Sequence, residues 1–162
     1  MFNLFNDTPV VGKASTEILC PTDIVFSFIG ANLLTNYPRW SPEVRELEKL
    51  TEGDVAQGSL FRQVRVDQGN RSESTFKVTA FKPVTRICFE GVSNPYRCDY
   101  VLEVVDANTT RLSFTFELLK LEMHMRPFEK LICFAVQDGT ERTVRNIRKL
   151  VESEADLAGA LV

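Results

Sequence analysis

The sequence predicts an α+β domain in which consecutive antiparallel strands are covered on one face by a single long helix at the C-terminal end. Three observations carry this reading. Between Val44 and Lys120 short turn signals cut the chain into strand-length runs, and the connections are too short for parallel crossovers, which need about a dozen residues. Two of the runs alternate apolar and polar residues over most of their length. From Pro127 to about Glu154 there is no further proline, and apolar residues recur there at helical spacing.

Each element follows in order. After an arm carrying Phe2, Leu4 and Phe5, "VVGKASTEIL" (Val10–Leu19) has the composition of a strand. The period changes in "PTDIVFSFIGANLL": Thr22 or Asp23 can cap a helix whose Ile24, Val25, Phe28 and Ile29 fall at helical spacing. A second short helical turn runs through Leu33 and Leu34 and is stopped by Pro38. In "NYPRWSPEV" Pro38 and Pro42 push Tyr37 and Ser41 out of the helical region, which places Trp40, the only tryptophan, on a rigid non-helical connector. The turns that follow centre on Gly53 and Gly58, Asp67–Asn70, Lys82–Thr85, the segment ending at Pro95, and Asp106–Thr110.

Two strands declare their faces. Leu112, Phe114, Phe116 and Leu118 alternate with Ser113, Thr115 and Glu117, and Cys98, Tyr100, Leu102 and Val104 alternate with Arg97, Asp99 and Glu103. Such a sheet is covered on one side and wet on the other. Phe76, Val78, Ala80, Ile87 and Phe89 extend the inner face. Its cover is the last segment, where Phe128, Leu131, Ile132, Ala135, Gly139, Thr143, Ile147 and Leu150 form a stripe. A helix of about 25 residues would be about 38 Å long. Gly139 in its interior is explained by close packing or by a kink.

Composition bounds the function. A chain of 162 residues, 44% hydrophobic and 25% charged, fits one domain spanning 1–162. The net charge of -3 disfavours a nucleic-acid partner. No apolar run approaches the roughly 18 residues of a membrane span, and no signal peptide is evident, so a cytoplasmic location is expected. Cys20, Cys88, Cys98 and Cys133 form no CxxC pair and His124 is the sole histidine. Reduced thiols are therefore expected, with no metal site and no cofactor: there is also no phosphate-cradling glycine loop.

The order of strand, short helices, antiparallel strands and long C-terminal helix resembles the helix-grip fold of the START-like (SRPBCC) superfamily. That superfamily includes polyketide cyclase/dehydrase-like proteins, START lipid-transfer domains and the birch-pollen-allergen family. The segments that carry the resemblance are "CPTDIVFSFI", "NYPRWSPEV", "GSLFRQV", "FKPVTRICFE" and "NTTRLSFTFEL", and it covers residues 10 to 153. It implies a seven-stranded curved sheet wrapped around the long helix, with "VVGKASTEIL" as first strand and "VRELEKL" as second. It also implies an apolar cavity between sheet and helix, with the Trp40 segment at its mouth.

On that architecture the candidate ligand-binding residues are Trp40, Phe76, Phe89, Tyr100, Phe114 and Phe116 from the sheet side, with Leu131 and Ala135 from the helix. Each is equally suited to simple core packing. The expected partner is a hydrophobic or amphipathic small molecule: a lipid, a polyketide or an aromatic compound. A cyclase or dehydratase using polar cavity groups for proton transfer is the alternative, and a protein-interaction module on the same fold is the third. No catalytic constellation is evident: His124 lies in a loop, Asp138 and Arg142 are spaced for a surface pair, and either Arg62 or Arg65 faces inward without the alternation in "SLFRQVRV" deciding which.

Overall fold

Turn chemistry sets the strand boundaries. Gln68 and Gly69 both adopt positive φ, at 50° and 83°, and form the two-residue turn between β3 (Leu60–Asp67) and β4 (Asn70–Lys82). Positive φ at both central positions matches the right-handed twist of the strands it joins. The computed structural model describes residues 9–160, so the apolar arm positions Phe2, Leu4 and Phe5 lie outside the described residues. The remaining strands are β1 (Val10–Ile18), β2 (Val44–Lys49), β5 (Arg86–Gly91), β6 (Tyr96–Asp106) and β7 (Thr109–Leu118). They form one seven-stranded sheet in the order β1-β7-β6-β5-β4-β3-β2, and every neighbouring pair is antiparallel. Register shifts within the β2–β3, β4–β5 and β6–β7 pairs mark bulges that bend the sheet around its concave face.

Between β1 and β2 the chain forms α1 (Thr22–Phe26), a π-helical turn (Ser27–Ala31) and α2 (Leu33–Trp40). Two expectations are corrected here. Neither Thr22 nor Asp23 caps α1: Pro21 occupies the cap, and the Thr22 hydroxyl lies 2.9 Å from that of buried Thr110. Trp40 is the last residue of α2, not part of a non-helical connector. Pro38 lacks the N–H that would bond one turn back, yet Leu33, Asn36, Tyr37 and Trp40 are all buried. Burial of that i, i+3, i+4, i+7 face outweighs the one missing bond. Pro42 does end the helix, with Ser41 at φ -124° and ψ 83°.

After β7 a 3-10 turn (Met123–Phe128) leads into α3 (Glu129–Ala160), which at 32 residues is longer than expected. Its buried face is Thr140, Val144, Ile147 and Val151. The predicted stripe is rotated from this one: Ile147 is buried, whereas Phe128 and Leu131 are exposed at 53% and 69%. At 3.6 residues per turn Leu131 lies on the opposite side of the wheel from Thr140.

Two glycines separate packing from cavity. At Gly12 in β1 a Cβ would lie 2.5 Å from Thr140 Oγ1 and 2.9 Å from Val136 Cγ1. The strand can therefore approach α3 closely, and the Lys13 backbone both donates to and accepts from the Gln137 side-chain amide. Gly139 is different. A Cβ there meets only the far end of Arg142 at 3.8 Å, which rules out close packing as its reason. Gly12→Val is expected to lower unfolding stability in urea by about 2 kcal/mol through overpacking. Gly139→Ala should raise it by up to about 1 kcal/mol, as the entropy penalty of a helical glycine is relieved.

Candidate ligand-binding site

The inner face of the sheet carries an aromatic row that crosses five strands. Phe61 stacks on Phe76 at 5.1 Å between centroids, Phe76 on Phe89 at 4.3 Å, Phe89 lies 6.0 Å from Tyr100, and Tyr100 stacks on Phe114 at 4.5 Å. The last turn of α2 presses onto this row. Tyr37 meets Phe76 and Phe89 at 6.0 and 5.5 Å, and Trp40 meets Tyr100 edge-on at 5.8 Å. What α2 leaves uncovered is a cavity of about 550 Å³ between the sheet and α3.

Five of the eight expected residues line it: Trp40, Tyr100, Phe114, Phe116 and Ala135. Phe76 and Phe89 do not, because Tyr37 covers them and leaves both fully buried in the core. Leu131 does not either, since it points away from the sheet, and Ile132 and Val136 stand in its place. Trp40 is also not at the mouth. It is 1% exposed and forms part of the floor, at once core and wall. The opening lies where lining residues are exposed: Asp67, Ser72, Asn94, Pro95, Ala135 and Arg142.

One wall is apolar, made by Phe114, Phe116 and Leu118 of β7 with Ile132 and Val136 of α3. The facing wall is polar. Gln63, Arg65 and Asp67 alternate on the inner face of β3, and β4 places Ser74 opposite Gln63 and Ser72 opposite Arg65. Gln63 Nε2 donates to Tyr96 Oη at 3.0 Å and to Ser74 Oγ at 3.3 Å. Arg65 settles the inward choice, because Arg62 points outward and pairs with Glu73 at 2.6 Å. The Arg65 guanidinium binds both Asp67 oxygens at 3.1 Å through Nε and Nη2. Its Nη1 donates to Tyr37 Oη at 3.2 Å and to Ser41 Oγ at 3.5 Å. Two atoms in this region are buried without a partner, Trp40 Nε1 and Gln63 Oε1.

The electrostatics favour neutral hydroxyls and thiols. Burial pushes Tyr37, Tyr100 and Cys98 well above their ordinary values; Arg65 only partly offsets this at Tyr37 and Cys98, and the neighbouring Trp40 side chain, ahead of Arg65, does so at Tyr100. Cys98 is therefore a protonated wall group with no nucleophilic character. At the rim, Arg142 bridges Asp138 at 3.1 Å and Glu43 at 3.2 Å, so the expected helix-surface pair also ties α3 to the chain after α2. Asn146 Nδ2 adds a bond to the Trp40 carbonyl at 3.0 Å. Burial raises the Glu43 carboxyl, but bonds from its own backbone, Arg142 and Ser41 outweigh burial and leave its pKa lowered. His124 is exposed beside Glu122 and takes no part in the cavity. No group of ligating side chains suited to a metal occurs among the described residues.

Tyr37, Gln63 and Glu43 were not among the expected site residues, and Arg65 was named only as one of two arginines that could face inward. Gln63 and Arg65 had a faint signal, polar residues at the parity of Phe61. Val64 and Val66 on the opposite parity obscured it.

The curved sheet, the long helix and the cavity between them define a helix-grip fold. The chain belongs to the family described as polyketide cyclase / dehydrase and lipid transport, whose model matches residues 10–152. Among solved structures, the ZhuI aromatase/cyclase from Streptomyces sp. R1128 is similar at 17% identity, over 94% of this chain and 99% of that one, with a TM-score of 0.77. Norcoclaurine synthase from Thalictrum flavum, in complex with dopamine and hydroxybenzaldehyde, is similar at 15% identity, over 93% and 91%, with a TM-score of 0.68. The polyketide-cyclase-like protein Cgl2372 from Corynebacterium glutamicum matches at 17% identity, over 91% and 94%, with a TM-score of 0.64. At these identities the likeness shows the fold alone. A search of curated proteins finds no match. No helix among the described residues is long and apolar enough to cross a membrane.

The lowered Glu43 value fixes the sign of a pH effect. Its contribution is complete above the ordinary carboxylate range and is lost as the pH falls through the lowered folded value. Glu43→Gln should cost about 0.5 kcal/mol at neutral pH, a small figure because the pair is partly solvated. The difference from wild type should vanish in acid when thermal unfolding is followed against pH.

Proposed function

We propose that the protein binds one amphipathic, ring-containing small molecule in the cavity between sheet and α3. The observation that carries this reading is the pairing of opposite walls: apolar Phe114, Phe116, Ile132 and Val136 face polar Gln63, Arg65 and Ser74 across about 550 Å³. That volume falls within the roughly 300–1,000 Å³ of small-molecule sites, and a few oriented polar groups in apolar walls are their usual lining. Stacked Tyr100 and Phe114 offer a flat apolar surface to a ring. The similar folds of norcoclaurine synthase, in complex with dopamine and hydroxybenzaldehyde, and of the ZhuI aromatase/cyclase support a ring-shaped ligand. Carriage of a lipid is compatible with the family description but makes less use of the polar wall.

One observation favours a second reading, an enzyme of the cyclase or dehydratase type. Arg65 Nη1 and Tyr37 Oη stand together on the polar wall, a donor pair suited to a carbonyl oxygen that gains charge during enolisation. With Tyr37 held protonated by burial, it would act as a hydrogen-bond donor and not as a base.

Titration of an apolar aromatic panel against Trp40 fluorescence tests the binding reading, since the sole tryptophan lines the cavity. Saturable quenching is expected in the wild type. Ala135→Phe, at an exposed lining position, should weaken binding by about tenfold or more with unfolding stability unchanged. A fluorescence signal that ignores the whole panel, or affinity indifferent to Ala135→Phe, would remove the cavity as the site.

A further inference from the structure

The cavity lining holds four charged side chains, and each is already neutralised by another lining residue. Arg65 is held by Asp67 through both of its carboxylate oxygens, and Glu43 is held by Arg142, which Asp138 also contacts from outside the lining. No charge among the described lining residues stands free to meet a charge on a ligand. Resting on the binding reading above, we infer that the site selects an electrically neutral ring compound bearing hydroxyl or carbonyl oxygens, over a carboxylate or an amine of the same shape.

The physical case is one of competition. A carboxylate entering beside Arg65 has to displace Asp67 from a two-point fork, or sit next to Asp67 and Glu43 with its own charge unpaired. An ammonium group meets the same obstacle in reverse, because both carboxylates are already held by guanidinium groups. A neutral oxygen meets neither. Arg65 Nη1 lies outside the fork, and its N–H toward Ser41 Oγ, a long bond at 3.5 Å, can turn to a ligand carbonyl instead. On the same wall the hydroxyls of Ser41 and Ser74 can donate to or accept from a neutral oxygen. The wall thus presents donors and acceptors but no net charge.

The test compares three probes on one scaffold at neutral pH, naphthol, naphthoate and naphthylmethylammonium, with Trp40 fluorescence as readout. Naphthol is expected to bind at least about tenfold more tightly than either ion. Asp67→Asn, at a half-exposed strand end where the fold can accept it, releases the Arg65 fork and should improve naphthoate binding by about tenfold while naphthol changes within a few-fold. Ala135→Phe should abolish the naphthol signal, which locates it in the cavity. Wild-type affinity for naphthoate or the ammonium equal to that for naphthol overturns the inference, as does indifference of naphthoate to Asp67→Asn. If none of the three probes binds, the binding reading itself fails and this inference falls with it.

Discussion

The wedge formed by the last turn of α2 is the constraint on which the rest depends. Tyr37 and Trp40, four and seven residues along the buried face from Leu33, drive two large rings onto the concave side of the sheet. On one side of them the sheet closes on itself as dry core, with Phe61, Phe76 and Phe89 fully buried. On the other side α3 is held off the sheet and cannot collapse onto it. Asn146 bonds to the Trp40 carbonyl, and Arg142 bonds to Glu43 just beyond, so the wedge is tied to the helix it holds away. Interiors normally pack without voids of this size. A cavity here therefore needs rigid supports, and α2 supplies them.

The polar wall is difficult to explain by stability. Gln63, Arg65 and Asp67 lie on the same strand face that carries Phe61, and apolar residues there would have extended the core. Partial burial of a guanidinium is unfavourable, and its pairing with Asp67 at best offsets the desolvation. Gln63 Oε1 remains unsatisfied at a position 2% exposed. Departures of this kind from good packing are expected where a site is built, because a binding surface needs groups that the fold does not use up.

Much of the fold could be read from the residues, and part of the site could not. The alternation of β6 and β7 gives their inner faces directly, and the short turns give the antiparallel order. Parity cannot distinguish Phe89 from Phe114, however. Both point inward, and only the position of Tyr37 decides that one is core and the other cavity wall. Trp40 was misplaced for a related reason. Local rules for Pro38 argue against a helix, but they omit the tertiary burial that pays for one lost hydrogen bond. Leu131 failed because a helix with apolar residues on several sides has no unique stripe until its partner is known.

The same geometry divides α3 into a loosely packed start and a stretch held against the sheet. The first two turns of α3 bury little: Leu131, Cys133, Phe134 and Ala135 are all exposed, whereas the helix from Thr140 onward is fixed by Val144, Ile147 and Val151. Local opening is easiest where few apolar contacts must be broken. Exposed Ala135 of the cavity lining lies in these turns, but so does Val136, which packs against Gly12, so only the stretch before Val136 is free of the close contact with β1. The loosely packed start of the helix and its tightest contact are thus neighbours along the chain. The close approach at Gly12 fixes α3 from Val136 onward and sets where the loose stretch ends.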